Sequence, residues 1–143
     1  MDKRKRIEEY LRGLDITKEY LAYRKKELEL LDYEYGLTGI SYDNPIQSGT
    51  ISDTTGNQAS RIADERQSTM IEIKRLELEV NHTEKLISML TDKEATTIRL
   101  YYFSPYKPLW YIQQQINHSK EQTIRIKSAA LNKLARGMYG EDR

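Results

Sequence analysis

Residues 90–103 read LTDKEATTIRLYYF, residues 104–108 read SPYKP, and residues 109–138 read LWYIQQQINHSKEQTIRIKSAALNKLARGM. Thr91 and Glu94 have the T-x-x-E spacing of a capping box, and Leu90 stands where a hydrophobic staple residue belongs. A helix is therefore predicted to start at Thr91, with Ile98, Leu100, Tyr101 and Tyr102 as its apolar end. Pro105 and Pro108 must break it, because proline lacks the amide proton and disfavours helix in the residue before it.

Leu109, Ile112 and Ile116 then recur at spacings of three and four, the mark of a short amphipathic helix. Asn117 and His118 supply a tight turn, Ser119 is placed to cap the next helix, and Gln122 completes a second capping box. That helix is expected to bury Thr123, Ile126, Ala130 and Leu134, with Leu131 at the edge, and to stop at Gly137. A short helix, a tight turn and a longer capped helix make a helix-turn-helix.

The face opposite that core carries Gln122, Arg125, Ala129, Asn132 and Arg136, with Lys120 and Glu121 at its start. Gln pairs bidentately with adenine and Arg with guanine, and a small residue lets the backbone approach or touches a thymine methyl. Lys120, Gln122, Arg125 and Ala129 are accordingly the expected base-reading residues. Lys107, Ser119, Lys127, Asn132, Lys133 and Arg136 are the expected phosphate contacts, which set affinity rather than sequence preference. The plainer alternative is an amphipathic helix pair with a solvated basic face.

Upstream, Ile62, Thr69, Leu76, Thr83 and Leu90 form one heptad series, and Arg66, Ile73, Val80 and Ile87 the other. Ile7, Leu14, Leu21, Leu28 and Tyr35 repeat every seven residues near the start, with Tyr10, Thr17, Arg24 and Leu31 between them and Gly13 as a weak point. Residues 36–57 contain Gly36, Gly39, Pro45, Gly49 and Gly56 among many small polar residues, and read as a long loop. The expected architecture is all-α: residues 1–35 and 58–90 pair as a long antiparallel helical hairpin, a coiled-coil arm, followed by a DNA-binding domain over residues 91–143. Pairing between two chains, a homodimer through the arm, is the competing arrangement.

Composition agrees with half-exposed helices: 38% hydrophobic and 31% charged residues in a chain of 143. The net charge of +1 hides an asymmetry, since nine Lys and Arg face only five Asp and Glu from Thr91 onward. Absence of cysteine excludes disulfides, thiolate metal sites and cysteine nucleophiles, and suits a reducing cytoplasm. No apolar run is long enough to span a bilayer, and no apolar signal core follows Lys3, Arg4, Lys5 and Arg6, so no membrane partner is expected.

The stretch from Leu90 to Leu134 resembles region 4 of the sigma-70 superfamily, which recognises the upstream promoter element with a helix-turn-helix; the matching positions are Leu90, Thr91, Glu94, Leu109, Ile112, Ser119, Ala130, Leu131 and Leu134. The whole chain, including SGTISDTTGNQASRIADER at 48–66, is similar to the RinA/ArpU-type phage regulators. The resemblance implies an activator of phage late genes that binds double-stranded promoter DNA and recruits host RNA polymerase in the bacterial cytoplasm, at the nucleoid. Pro105, Pro108 and the run Gln113, Gln114, Gln115 depart from sigma factors, and no segment for the downstream promoter element is visible. A phage small terminase subunit, a DNA-packaging protein, is the alternative; there the DNA-binding module usually precedes the oligomerisation arm.

No phosphate-binding glycine loop or nucleophile elbow occurs, and neither His82 nor His118 has a second metal ligand at helical spacing, so no enzyme activity, cofactor or metal is expected. Tyr10, Tyr20, Tyr23, Tyr33 and Tyr35 are expected to pack across a wide helix seam, and Trp110 to be partly exposed.

Overall fold

A computed structural model describes residues 2–42 and 49–141, with side chains over 2–37 and 57–141. Among the described residues the chain is all-α: α1 (Lys3–Arg12), α2 (Leu14–Tyr42), α3 (Gly49–Ser88), α4 (Asp92–Tyr102), α5 (Leu109–Ile116) and α6 (Lys120–Tyr139), with no strand. No described helix is long and apolar enough to cross a membrane.

The chain divides into two compact units, residues 19–77 and residues 1–18 with 78–143. This corrects the expected boundaries. The C-terminal module is not closed at residue 91, because one core joins Ile7 and Leu11 of α1 and Ile87 of α3 to Ile98 and Tyr102 of α4 and Ala130, Leu131, Leu134 and Ala135 of α6. Two apolar residues on α1 cannot stay in water when α6 offers them a dry face. Arg6 also lies over the Tyr139 ring at 4.2 Å, and Lys3 Nζ donates to Gly140 O at 3.2 Å. Both cations come from the basic cluster at the start.

Two further expectations are corrected. The first helical stretch is not continuous, since α1 ends at Gly13, whose N–H donates to Glu9 O before the chain restarts as α2. The loop expected over 36–57 is shorter: the backbone is helical through Tyr42 and again from Gly49, so Gly36, Gly39, Gly49 and Gly56 all lie in helix. A helical glycine costs only about 1 kcal/mol relative to alanine, which scattered single glycines do not make prohibitive. Pro45 falls outside the described residues.

In the unit of residues 19–77, Leu21, Ile62, Thr69 and Ile73 are buried, and Arg24, Leu28, Leu31, Arg66 and Leu76 are half-buried. These are the two heptad series. Arg24 bridges Glu72 at 3.0 Å, Lys25 meets Glu77 at 2.8 Å, and Asp32 pairs with Arg66. All three pairs join α2 to α3 within this unit. Tyr23 and Tyr33 correct the packing expectation, since both are exposed; Tyr10 is half-buried. Tyr20 and Tyr35, although partly exposed, reach α3, the Tyr20 hydroxyl donating to Glu72 Oε1 at 2.7 Å and the Tyr35 ring lying 5.6 Å from the Arg66 guanidinium. Tyr23 and Tyr33 stand two residues beyond the seam positions Leu21 and Leu31, about 200° around the helix and thus on the far side.

The expected stop at Gly137 is corrected as well. α6 continues to Tyr139 and is capped by Gly140, at φ +82°. Gly137 serves packing instead: a Cβ there would lie 2.6 and 2.7 Å from the Leu86 methyls, and His82 Nε2 meets Gly137 O at 2.9 Å. Gly137→Val should therefore destabilise the fold by roughly 1–2 kcal/mol, since Leu86 must leave its place. Gly36→Ala, where nothing lies within 4 Å, should be neutral or stabilising by up to about 1 kcal/mol. Urea melts of the two variants check the contrast.

Candidate nucleic-acid interface

The site is built on α5, the turn after it, and α6. Asn117 adopts the left-handed conformation (φ 57°, ψ 53°), which ends α5 and suits asparagine. His118 N–H donates back to Gln113 O at 3.1 Å, and Ser119 Oγ accepts from Gln122 N–H at 3.2 Å. Ser119 is thus a working cap. The reciprocal half of the second capping box, a bond from Gln122 to the Ser119 N–H, does not form, and the Gln122 side chain is left exposed.

Thr123, Ala130, Leu131, Leu134 and Ala135 form the buried face of α6, with Ile112 and Ile116 of α5 also buried. Opposite them, Lys120, Gln122, Arg125, Ala129, Asn132 and Arg136 are all exposed. Among the described residues Lys120 and Arg125 have no ion-pair partner. Trp110 (62% exposed), Gln113, Gln114, Asn117, Ser119 and Gln122 border an open depression of about 650 Å³ at the start of this face.

The expected phosphate contacts divide. Asn132 is exposed, and Ser119 is occupied with its cap. Four cations have internal partners. Lys127 Nζ sits 3.9 Å from the Tyr101 ring centroid, and Lys107 Nζ 5.1 Å from that of Tyr111. Arg136 pairs with Glu141, and Lys133 Nζ donates to Glu94 Oε1 at 2.9 Å. Each keeps part of its charge toward solvent, but Lys127 and Lys133 first tie α6 to α4. Sequence spacing holds no signal for the Lys127–Tyr101 and Lys133–Glu94 contacts, because those partners are far apart along the chain.

Glu94 is the centre of that tie. Its carboxylate accepts from Thr91 N–H at 3.0 Å while Thr91 Oγ1 accepts from Glu94 N–H at 3.3 Å, the full capping box. Burial works against the charge of Glu94, yet hydrogen bonds from Lys133 and Thr91 outweigh it and hold the carboxyl below the usual carboxylate range. In the unfolded chain the group returns to a pKa of about 4.3. The unfolded state then takes up a proton first, so this stabilisation is complete above about 4.3 and is lost as pH falls through the folded value. Thermal melts from neutral to acid pH should show the wild type losing more stability than Glu94→Gln, with the two curves converging in acid.

Among the described residues no three of His, Cys, Asp and Glu are grouped to hold a metal ion. His118 Nε2 instead lies 2.8 Å from Lys93 Nζ. No family model matches this chain, and no curated protein or solved structure matches it.

Proposed function

We propose that the chain is a sequence-specific DNA-binding regulator of transcription rather than an enzyme. In this reading α5 and α6 act as a helix-turn-helix of the sigma-70 region 4 kind, and α2 with α3 forms a helical hairpin, the coiled-coil arm. The observation that carries it is the outer face of α6: Gln122 and Arg125 are exposed one turn into a capped helix, and Arg125 has no ion-pair partner among the described residues. A guanidinium held out on a rigid helix is suited to the major-groove edge of guanine. Asn132 and the solvent-facing parts of Lys133 and Arg136 lie further along the same helix, where phosphates would run.

The resemblance to RinA/ArpU-type regulators extends the proposal to phage late promoters, with host RNA polymerase as partner in the bacterial cytoplasm. Trp110, exposed beside the turn, is available to polymerase or to the DNA backbone. Selection of bound duplexes from a random library, followed by titration at two salt concentrations, tests the reading. Enrichment of one sequence, with affinity falling as salt rises, supports it. Absence of duplex binding even at low salt overturns it.

A further inference from the structure

The second unit holds a feature that DNA binding does not use. The inner face of α2 meets α3 through Leu21, Arg24, Leu28 and Leu31. Two residues on from each of these stand Tyr23, Lys26, Leu30 and Tyr33, again at spacings of three, four and three. A shift of two residues is about 200°, so these four share the opposite face. Tyr23 is 59% exposed, Leu30 58% and Tyr33 65%, while α3 within the same unit exposes only Ile71 among its described large apolar residues. Scattered exposed apolar residues need no explanation; a heptad-spaced set does.

We propose that this outer face of α2 is a second packing seam, and that its occupant is α2 of another copy of this chain, running antiparallel. Charge selects both the partner and the direction. The ionic residues between α2 and α3 are used within the unit, as in Arg24–Glu72, Lys25–Glu77 and Asp32–Arg66. Lys26 and Glu29, beside the outer seam, are exposed and have no ion-pair partner among the described residues. A parallel copy would set the two Lys26 ammonium groups against each other. An antiparallel copy sets Tyr23 opposite the other copy's Tyr33 and Lys26 opposite its Leu30, beside its Glu29, and does so twice by symmetry. Tyrosine is suited to such a surface, with its apolar ring against the partner and its hydroxyl at the rim. The seam is short, so the dimer is expected to be weak, roughly micromolar.

Sedimentation of the full chain over a range of concentrations tests the seam. The wild type should form a reversible dimer. Leu30→Glu should weaken it at least tenfold with helicity unchanged, because Leu30 is exposed in the single chain. Lys26→Glu and Glu29→Lys should each weaken it, and the two together should restore it. The chain has no cysteine, so direction can be read by oxidation. A mixture of Tyr23→Cys and Tyr33→Cys chains should cross-link, whereas Tyr23→Cys alone should not. A monomer into the high-micromolar range, a dimer indifferent to Leu30→Glu, or self-cross-linking of Tyr23→Cys overturns the proposal. None of these outcomes bears on whether α6 binds DNA.

Discussion

Leu131→Ala should cost roughly 2–5 kcal/mol, the range for deleting three buried carbons when the cavity cannot fully collapse. Leu131 is fully buried, in a cluster with Ile7, Leu11, Ile98 and Leu134. Those neighbours come from α1, α4 and α6, so no single side chain can move in to fill the space without opening another contact. Against a typical total of about 5–15 kcal/mol, that loss is enough to populate the unfolded unit near physiological temperature. The chain's one tryptophan, Trp110, lies in the same unit and reports on it by fluorescence during a urea titration. Leu78→Ala provides the control: Leu78 is 72% exposed, and its truncation should change stability by no more than about 0.5 kcal/mol. Equal losses in the two variants would mean that the cluster around Leu131 does not hold the unit together.

The second large effect is expected in DNA binding. Arg125→Ala should weaken binding to the preferred duplex by about 1–3 kcal/mol, roughly 5- to 150-fold, while leaving binding to unrelated sequence nearly unchanged. Arg125 is exposed and makes no hydrogen bond, ion pair or ring contact among the described residues, so its melting curve should not shift. Lys127→Ala should behave in the opposite way. Its ammonium lies over Tyr101, and its removal should lower stability modestly and affect all DNA sequences alike. Competition binding with specific and scrambled duplexes, run beside thermal melts, separates the two. If Arg125→Ala weakens both duplexes equally, the residue holds a phosphate and does not read a base.

What could be read from sequence follows from the range of the interactions. The caps were legible because both partners lie within three residues: Thr91 with Glu94, and Ser119 with the Gln122 N–H. The seams were legible because burial on a helix is periodic, and Ile62, Thr69, Ile73, Val80, Thr83 and Ile87 are buried at the heptad positions. Glycine alone does not announce where a helix ends. Gly13 breaks a helix, whereas Gly36 and Gly39 do not, and Gly137 is no stop: its absent side chain makes room for Leu86. For Gly137 the deciding neighbour, Leu86, is distant in sequence. The same holds for the candidate interface. The exposed positions of α6 came from the helical repeat, but the engagement of Lys133 by Glu94 spans 39 residues and no local pattern announces it.

The shared core of the first and last helices has a consequence for synthesis. Ile7 and Leu11 leave the ribosome early, yet Leu131 and Leu134 follow only after some 120 further residues. At about 5–20 residues per second, α1 waits on the order of ten seconds for its partner. During that interval residues 19–77 have all been synthesised, so the hairpin arm proposed for them can pair before α6 exists. The folding order is then from the middle outward, and the helix proposed to meet DNA is the last piece to be secured.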